Sequence, residues 1–381
     1  MLMPRDGQNQ VYPILRQGRA AVEKHFASLE GWRNEYRLYA ALAGKLPLPE
    51  ILEAAPGRLV LSYCGAPTML AERRRHEGQG FDPAPWQALA QWLRTCRDVC
   101  GELPDRVDLG NFLWDPAKGQ IIGLGLEGFR PAGRGSLSLA DLPGDTCETA
   151  VGGPAILARE LGALPGPDVR APEEPGAGWA GRISGVILAG GASSRMGVNK
   201  AGLRLGSSTL LQIQIEKMRA LGITDIMLSG ETCPRLPGVR VVPDVLPGNG
   251  PLGGLHACLQ AARHEACLVL SVDVPLLPSA ALAYLCRAHR GGATLLGHGQ
   301  LEEPLVAVYD ADLAPGIPGL IREGRRSARA LAPPHLRNIF AYRGPGELLE
   351  NCNTPGEFSE ASRLFRAYAE AGISLITFGL P

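Results

Sequence analysis

The sequence predicts an α/β protein: a C-terminal domain with a mainly parallel sheet and helices on both faces, preceded by a smaller α+β domain. Three observations predict this. From residue 183 onward, short apolar β-branched runs alternate with segments of helical spacing, the pattern of repeated strand–helix units. Cys267 to Val272 (CLVLSV) is continuously apolar, as a strand must be when both its faces are covered. Residues 162–182 (GALPGPDVRAPEEPGAGWAGR) crowd proline, glycine and acidic residues with no apolar period, which makes them a semi-extended linker. At 381 residues the chain is too long for one ordinary core. The linker divides it into residues 1–161 and 183–381.

In the C-terminal part the elements follow in order. Ile183 to Leu188 is an apolar strand running into Gly190-Gly191. Thr209 to Leu221 has helical spacing and stops at Gly222. Asp225 to Leu228 and Val239 to Val242 are short strands, and Leu255 to Arg263 is helical. Ligands of such sheets bind beyond the carboxyl ends of the strands, so Gly190, Asp244 and Asp273 stand where chemistry is expected.

Composition narrows the function classes. Apolar residues make up 45% and charged residues 20%, with a formal net charge of zero, so the chain as a whole has no basic footprint for nucleic acid or an anionic membrane. No apolar run approaches the length that crosses a bilayer. Nine cysteines, an odd number with no C-x-x-C pair, read as free thiols in a reducing cytoplasm and not as a disulfide frame or zinc site.

The sharpest motif is Leu188-Ala189-Gly190-Gly191-Ala192-Ser193-Ser194-Arg195-Met196-Gly197-Val198-Asn199-Lys200. A buried strand delivers a loop with little side-chain bulk, whose backbone N–H groups can approach phosphate oxygens. Arg195 and Lys200 add positive charge for charge-assisted hydrogen bonds to a triphosphate. The second motif, Ser271-Val272-Asp273-Val274-Pro275-Leu276-Leu277-Pro278, puts a single carboxylate at the tip of a buried strand. Mg²⁺ commonly takes one or two carboxylates and fills its other positions with water and phosphate. Asp244 ends a shorter strand and is a candidate nucleotide contact. Gly250-Pro251-Leu252-Gly253-Gly254-Leu255 opens a helix, and its glycines permit close backbone approach to a base or ribose. His256, just behind it, reads as a packed or surface histidine.

In order, LAGGASSRMGVNK, Asp244, GPLGGL, SVDVPLLP, EEPLVAVY (Glu302 to Tyr309) and NCNTPGEF (Asn351 to Phe358) resemble the molybdenum cofactor guanylyltransferases across nearly all of residues 183–360. The resemblance implies a Rossmann-like nucleotidyltransferase fold. It implies an enzyme that transfers GMP from GTP to molybdopterin and releases pyrophosphate, with Mg²⁺ as cofactor. The product would pass to a molybdoenzyme or its chaperone. It also implies GTP contacts from Leu188, Ala189, Gly190 and Gly191, phosphate contact from Lys200, nucleotide contact from Asp244, and GTP and Mg²⁺ ligation by Asp273. Catalysis then reduces to alignment and charge neutralisation by Lys200, Arg195 and the Asp273-bound metal. The similar cytidylyltransferases of the same cofactor carry LAAG where this chain has Leu188-Ala189-Gly190-Gly191, so Gly190 favours a purine. Cytidylyl transfer or another nucleotidyl transfer is the alternative, and a non-catalytic cofactor-binding or insertion protein the second alternative. Guanylyltransferases often place an asparagine after the second strand, where this chain has Ser229-Gly230. The basic stretch Arg322 to Ala330 is either a molybdopterin-phosphate contact or a solvated helix face.

Residues 11–160 resemble, more faintly, small-molecule kinases of the lipopolysaccharide and aminoglycoside type. Lys24 sits in a strand (Ala21 to Phe26) and Glu35 in a helix (Trp32 to Leu42), the placement of an ion pair that positions phosphates. Leu59 to Ser62 is a further strand and Trp86 to Cys100 a helix. Val107 to Asp115 resembles a catalytic loop ending in Asn111, yet Arg106 holds the place of the catalytic aspartate. Gly125 holds that of the metal-binding aspartate, with Glu127 the only acid nearby. The departures imply a degenerate kinase-like domain used for binding or regulation.

Overall fold

The computed structural model describes residues 9–66, 69, 82–104, 111–126, 129–131, 179, 181–189, 200–230 and 236–377. The chain forms two compact units. One is built on Ala20–Pro175 and the other on Val11–Arg19 and Gly176–Leu380.

The larger unit carries a seven-stranded sheet. Its strands are β1 (Ile183–Leu188), β2 (Ile226–Ser229), β3 (Val239–Val242), β4 (Ala266–Ser271), β5 (Ala293–His298), β6 (Leu301–Asp310) and β7 (Arg337–Ala341). They lie in the order β3-β2-β1-β4-β6-β5-β7. β6 is antiparallel to β4 and β5, and every other neighbouring pair is parallel. The chain leaves β1 toward β2 and β3 on one side, then returns to lay β4 on the other. That reversal makes the gap between β1 and β4 the switch point of the sheet, where a crevice opens beyond the strand ends.

The apolar runs are continuous because the sheet is covered twice. Ile183 and Ile187 of β1 and Leu268 and Leu270 of β4 join one cluster with Leu211, Ile215 and Met218, which lie on helix α1 (Leu210–Ala220). Val186 and Leu188, with Cys267 and Val269, face the other way, against Leu252, Leu255 and Leu259 of helix α2 (Pro251–Ala261). Alternation along each strand sends successive side chains into the two layers. Helix α3 (Ser279–Ala288) packs into the first layer and the short α4 (Ile317–Arg322) into the second. Helix α5 (Pro355–Glu370) closes the chain. Both α1 and α5 start with a capping box, Thr209 with Gln212 and Thr354 with Glu357, so orphan amides of each first turn are satisfied by side chains. Tyr12, from the segment that packs with this unit, is fully buried, its ring edge-on to Tyr342 at 4.9 Å and to Tyr284 at 6.0 Å.

Most expected elements are found within two residues. The helix after β3 begins at Pro251, four residues ahead of the expected Leu255, because proline fits the first helical turn. The stretch Arg322 to Ala330 is not a single helix. α4 ends at Arg322, and a short 3-10 turn resumes at Ala328 after an N-cap by Ser327.

At the end of the sheet away from the crevice, Asp225 is buried. Its carboxylate accepts from Ser184 Oγ at 2.7 Å, Arg240 Nε at 2.9 Å and the Arg263 amide at 3.2 Å. Burial pushes its pKa up, but these bonds outweigh that and hold it below the usual carboxylate value. A depressed folded pKa gives stability that is complete above the unfolded value of about 3.9 and is lost as pH falls through the folded one. Asp225→Asn is expected to cost about 2 kcal/mol at neutral pH. It should also flatten the acid limb of a stability–pH curve, both read by denaturant melts.

The smaller unit is α+β. Strand Arg19–His25 pairs antiparallel with Arg58–Ser62, which pairs in turn with Ile51–Ala55. Helices Leu29–Leu42 and Ala84–Cys100 and the hairpin Phe112–Asp115/Gln120–Gly123 accompany it. Lys24 Nζ meets Glu35 Oε2 at 2.7 Å with both side chains buried, and the Leu126 amide donates to the same Glu35 oxygen at 3.1 Å. A Cβ on Gly125 would meet Asn111 Cγ at 2.5 Å, so a side chain there would require the Asn111 carboxamide to swing aside. Arg106 and Glu127 lie outside the described residues.

Candidate active site

Strand register aligns the tips at the crevice. Leu188 of β1 stands opposite Ser229 of β2 and Ser271 of β4, and Ser229 stands opposite Val242 of β3. Asp244 and Asp273 each follow their aligned tip by two residues. Leu188 is buried in the layer beside α2, and Ala189 packs on the edge of the other. Gly190, Gly191 and Arg195 lie outside the described residues.

Lys200 emerges where the structure resumes, at the start of a 3-10 turn whose Ala201 is buried in the core. That anchor fixes the backbone and leaves the side chain free to reach the crevice. Its Nζ donates to Asp273 Oδ1 at 3.3 Å and to Asn353 Oδ1 at 2.7 Å. The side chains of Lys200 and Asp273 are 16% and 25% exposed, so the pair is reachable from solvent yet shielded enough for its charges to act strongly.

Asp273 is carried on a short loop after β4. Val272 and Val274 on either side are buried in the core, so alternation turns the carboxylate between them outward. The loop is tied on several sides. The Asp273 amide donates to Ser271 Oγ at 3.2 Å, and the Asp273 carbonyl accepts from the Cys352 amide at 2.8 Å. Gln214 Nε2 reaches the carbonyls of Ser271 (2.9 Å) and Val274 (3.2 Å), and Lys217 Nζ reaches that of Pro275 at 2.6 Å. Burial lowers the Lys217 pKa to about 7.

Asn353 is the residue that the motif reading did not single out. It lies within NCNTPGEF, whose match was read as a pattern without roles. Here the Cys352–Asp273 bond brings it beside Lys200, and the α5 capping box fixes it: the Asn353 and Thr354 amides both donate to Glu357 Oε2, at 2.7 and 2.9 Å. Those two amides hold the Glu357 carboxyl below its usual range.

Asp244 is fastened differently. Its Oδ1 accepts from the Leu246 amide at 2.8 Å. Two glycines of GPLGGL, Gly253 and Gly254, lie against neighbouring groups of the protein. A Cβ on Gly253 would lie 2.6 Å from Asp244 Oδ2 and from the Leu246 carbonyl, and one on Gly254 would collide with Ser229 Oγ. α2 can approach the tips of β2 and β3 only with both residues bare. Gly253→Ala is therefore expected to cost about 2 kcal/mol through overpacking and to displace Asp244. A thermal melt together with nucleotide affinity checks it. His256 on the same helix is buried, and burial lowers its pKa against an opposing effect of Asp244.

Among the described residues no three His, Cys, Asp or Glu side chains converge into a metal-binding group. Asp273 nevertheless has the donor chemistry of a hard-cation site: one oxygen faces Lys200, and no second bond to its carboxylate is formed among the described residues. A single carboxylate with solvent access suits Mg²⁺ that is also held by phosphates.

Sheet order and a lysine–carboxylate pair at the switch point give an α/β fold with a crevice suited to a phosphate-bearing ligand, and the matches below make it a nucleotidyltransferase. Residues 185–338 match the MobA-like NTP transferase domain. The chain is 37% identical over 153 residues to a probable molybdenum cofactor guanylyltransferase of Pelotomaculum thermopropionicum, covering 39% of this chain and 70% of that one. It is 35% identical over 195 residues to the molybdenum cofactor guanylyltransferase of Rhizobium meliloti, covering 46% and 88%. Among solved structures, molybdopterin-guanine dinucleotide biosynthesis protein A of Archaeoglobus fulgidus is similar at 22% identity, with a TM-score of 0.39 over 48% of this chain and 97% of that one. The chain belongs to the molybdenum cofactor guanylyltransferase family.

Proposed function

We propose that the C-terminal unit transfers GMP from GTP to the terminal phosphate of molybdopterin and releases pyrophosphate. The observation that carries this is Lys200 held between Asp273 and Asn353 at the switch point, in a chain whose relatives are named for that reaction. The acceptor phosphate is already an anion and needs no general base. Alignment and neutralisation of charge at the α-phosphorus are what remain. Lys200 turns its ammonium to the triphosphate, with Arg195 as the second cation. Asp273 would hold Mg²⁺, which would supply charge neutralisation at the phosphate oxygens. Leu188, Ala189, Gly190 and Gly191 offer backbone N–H groups to the nucleotide, and Asp244 fixes the nucleoside from the tips of β2 and β3.

Among the described residues no helix is long and apolar enough to cross a membrane. The described cysteines carry free thiols, which supports a reducing cytoplasm as the place of reaction. A molybdoenzyme or its chaperone would take the product. Residues 1–161, followed by the 162–182 linker, would form a binding or regulatory domain, a reading supported by a paired Lys24–Glu35 and by glycine at position 125, where a kinase would carry its metal-binding acid.

The test is incubation of the full chain with molybdopterin, Mg²⁺ and each of the four nucleoside triphosphates, with pyrophosphate and dinucleotide measured. GTP is expected to dominate, because Gly190 leaves room for a purine edge. Dominant CTP use would remove the guanylyl assignment, and no release with any triphosphate would favour a non-catalytic binding protein.

A further inference from the structure

Helix α1 carries two polar side chains that the proposed chemistry does not use. Gln214 is 1% and Lys217 0% exposed. They lie three residues apart, on one face of the helix. A fully buried ammonium is expensive to keep, and among the described residues no carboxylate lies within ion-pair distance of Lys217. Its recorded partner is the Pro275 carbonyl at 2.6 Å. Gln214 is costly too: its Nε2 bonds the Ser271 and Val274 carbonyls, while its Oε1 finds no donor among the described residues. An apolar pair of equal volume would pack this face at less cost, so what the two residues accomplish must lie in the three carbonyls they hold.

Those carbonyls belong to Ser271, Val274 and Pro275, which bracket Asp273 in sequence. We infer that Gln214 and Lys217 are positioning residues that clamp the 271–275 loop, so that the Asp273 carboxylate is held ready for a phosphate-bound divalent cation. A loop carrying a single metal-binding carboxylate gains most from such a brace. One ligand cannot form a cage, and the cation finds its position only if that carboxylate is already in place. The Cys352 amide holds the Asp273 carbonyl from the opposite chain segment, so the loop is gripped between α1 and the approach to α5. In this arrangement Gln214 and Lys217 act on Asp273 through the backbone and never touch substrate.

The inference rests on Asp273 serving a nucleotide site. Two variants of the full chain test it, Lys217→Met and Gln214→Leu, each near in volume and lacking the donor. A fluorescent GTP analogue is titrated with and without Mg²⁺ and thermal melts are recorded; GMP transfer is followed as Mg²⁺ varies. The expected result is a melting temperature near the parent's, unchanged binding without Mg²⁺, and about tenfold more Mg²⁺ needed for half-maximal binding and transfer, the size of effect that supporting residues around a metal ligand produce. Parent-like Mg²⁺ dependence in both variants overturns the inference. So does an equal loss of binding with and without Mg²⁺, or failure of both variants to fold, since each marks a merely structural pair. A parent chain that binds GTP without any response to Mg²⁺ sinks instead the reading of Asp273 as the metal ligand, and the two failures are told apart by that control.

Discussion

Asp273→Ala is expected to lower GMP transfer by at least about a thousandfold, since in the proposed mechanism this carboxylate would hold the charge-neutralising metal. The fold should survive. The carboxylate is partly exposed, and Lys200 keeps its 2.7 Å bond to Asn353, so the variant leaves no buried charge without a partner. Asp273→Asn separates two roles. An amide oxygen still accepts from Lys200, so the lysine stays in place, but the negative charge is gone. Transfer by the Asn variant should match the Ala variant, and a Mg²⁺ titration of GTP binding should be flat in both. If Asp273→Ala retains a tenth or more of parent activity, the metal is held elsewhere and the site has been misread.

Much of the scaffold was legible because the sheet is covered on both faces. Residues such as Val186 and Ile187, or Val269 and Leu270, enter different layers, so an uninterrupted apolar run could only be an interior strand. The place of Asp273 followed from that, since the residue just beyond a buried strand must lie at its tip. Strand order was harder to read. β6 runs antiparallel between β4 and β5, yet EEPLVAVY has no feature that sets its direction. Its pairing with β5 also shifts register between Leu295 and Leu296, and pairing of that kind is decided by tertiary packing.

The rest of the site was hidden for a different reason. Asn353 has no local pattern; it matters because the Cys352 amide meets the Asp273 carbonyl, 79 residues earlier in sequence. Gln214 and Lys217 carry no local signal of their role either. They are polar residues within a helix, buried because the 271–275 loop covers that face. Gly253 and Gly254 read from the sequence only as points of close approach, and the fold shows what lies against them within the protein: Asp244 and Ser229. Local reading cannot separate a glycine kept for a ligand from one kept for a neighbouring side chain.

Lys200→Met is expected to reduce transfer by about 10² to 10³, the usual cost of removing one preorganised donor from a developing charge. Methionine keeps the length of the stem and its packing while deleting the ammonium. The loss should fall on both kcat and the apparent affinity for GTP, because the ammonium meets phosphate before and during transfer. Without the lysine, Asp273 loses its resident counter-charge and Asn353 Oδ1 its 2.7 Å donor. The roles of the ammonium and of the proposed metal-holding carboxylate then become separable in a double-mutant cycle. If they act as one unit, Lys200→Met combined with Asp273→Ala should be little worse than Asp273→Ala alone. Full additivity would mean that the lysine and the carboxylate serve independent steps, and the shared-site geometry would have to be abandoned. Lys200→Arg offers a further check. A guanidinium is broader and sits less well in the gap between Asp273 and Asn353, so partial activity with weakened GTP affinity is the expected outcome.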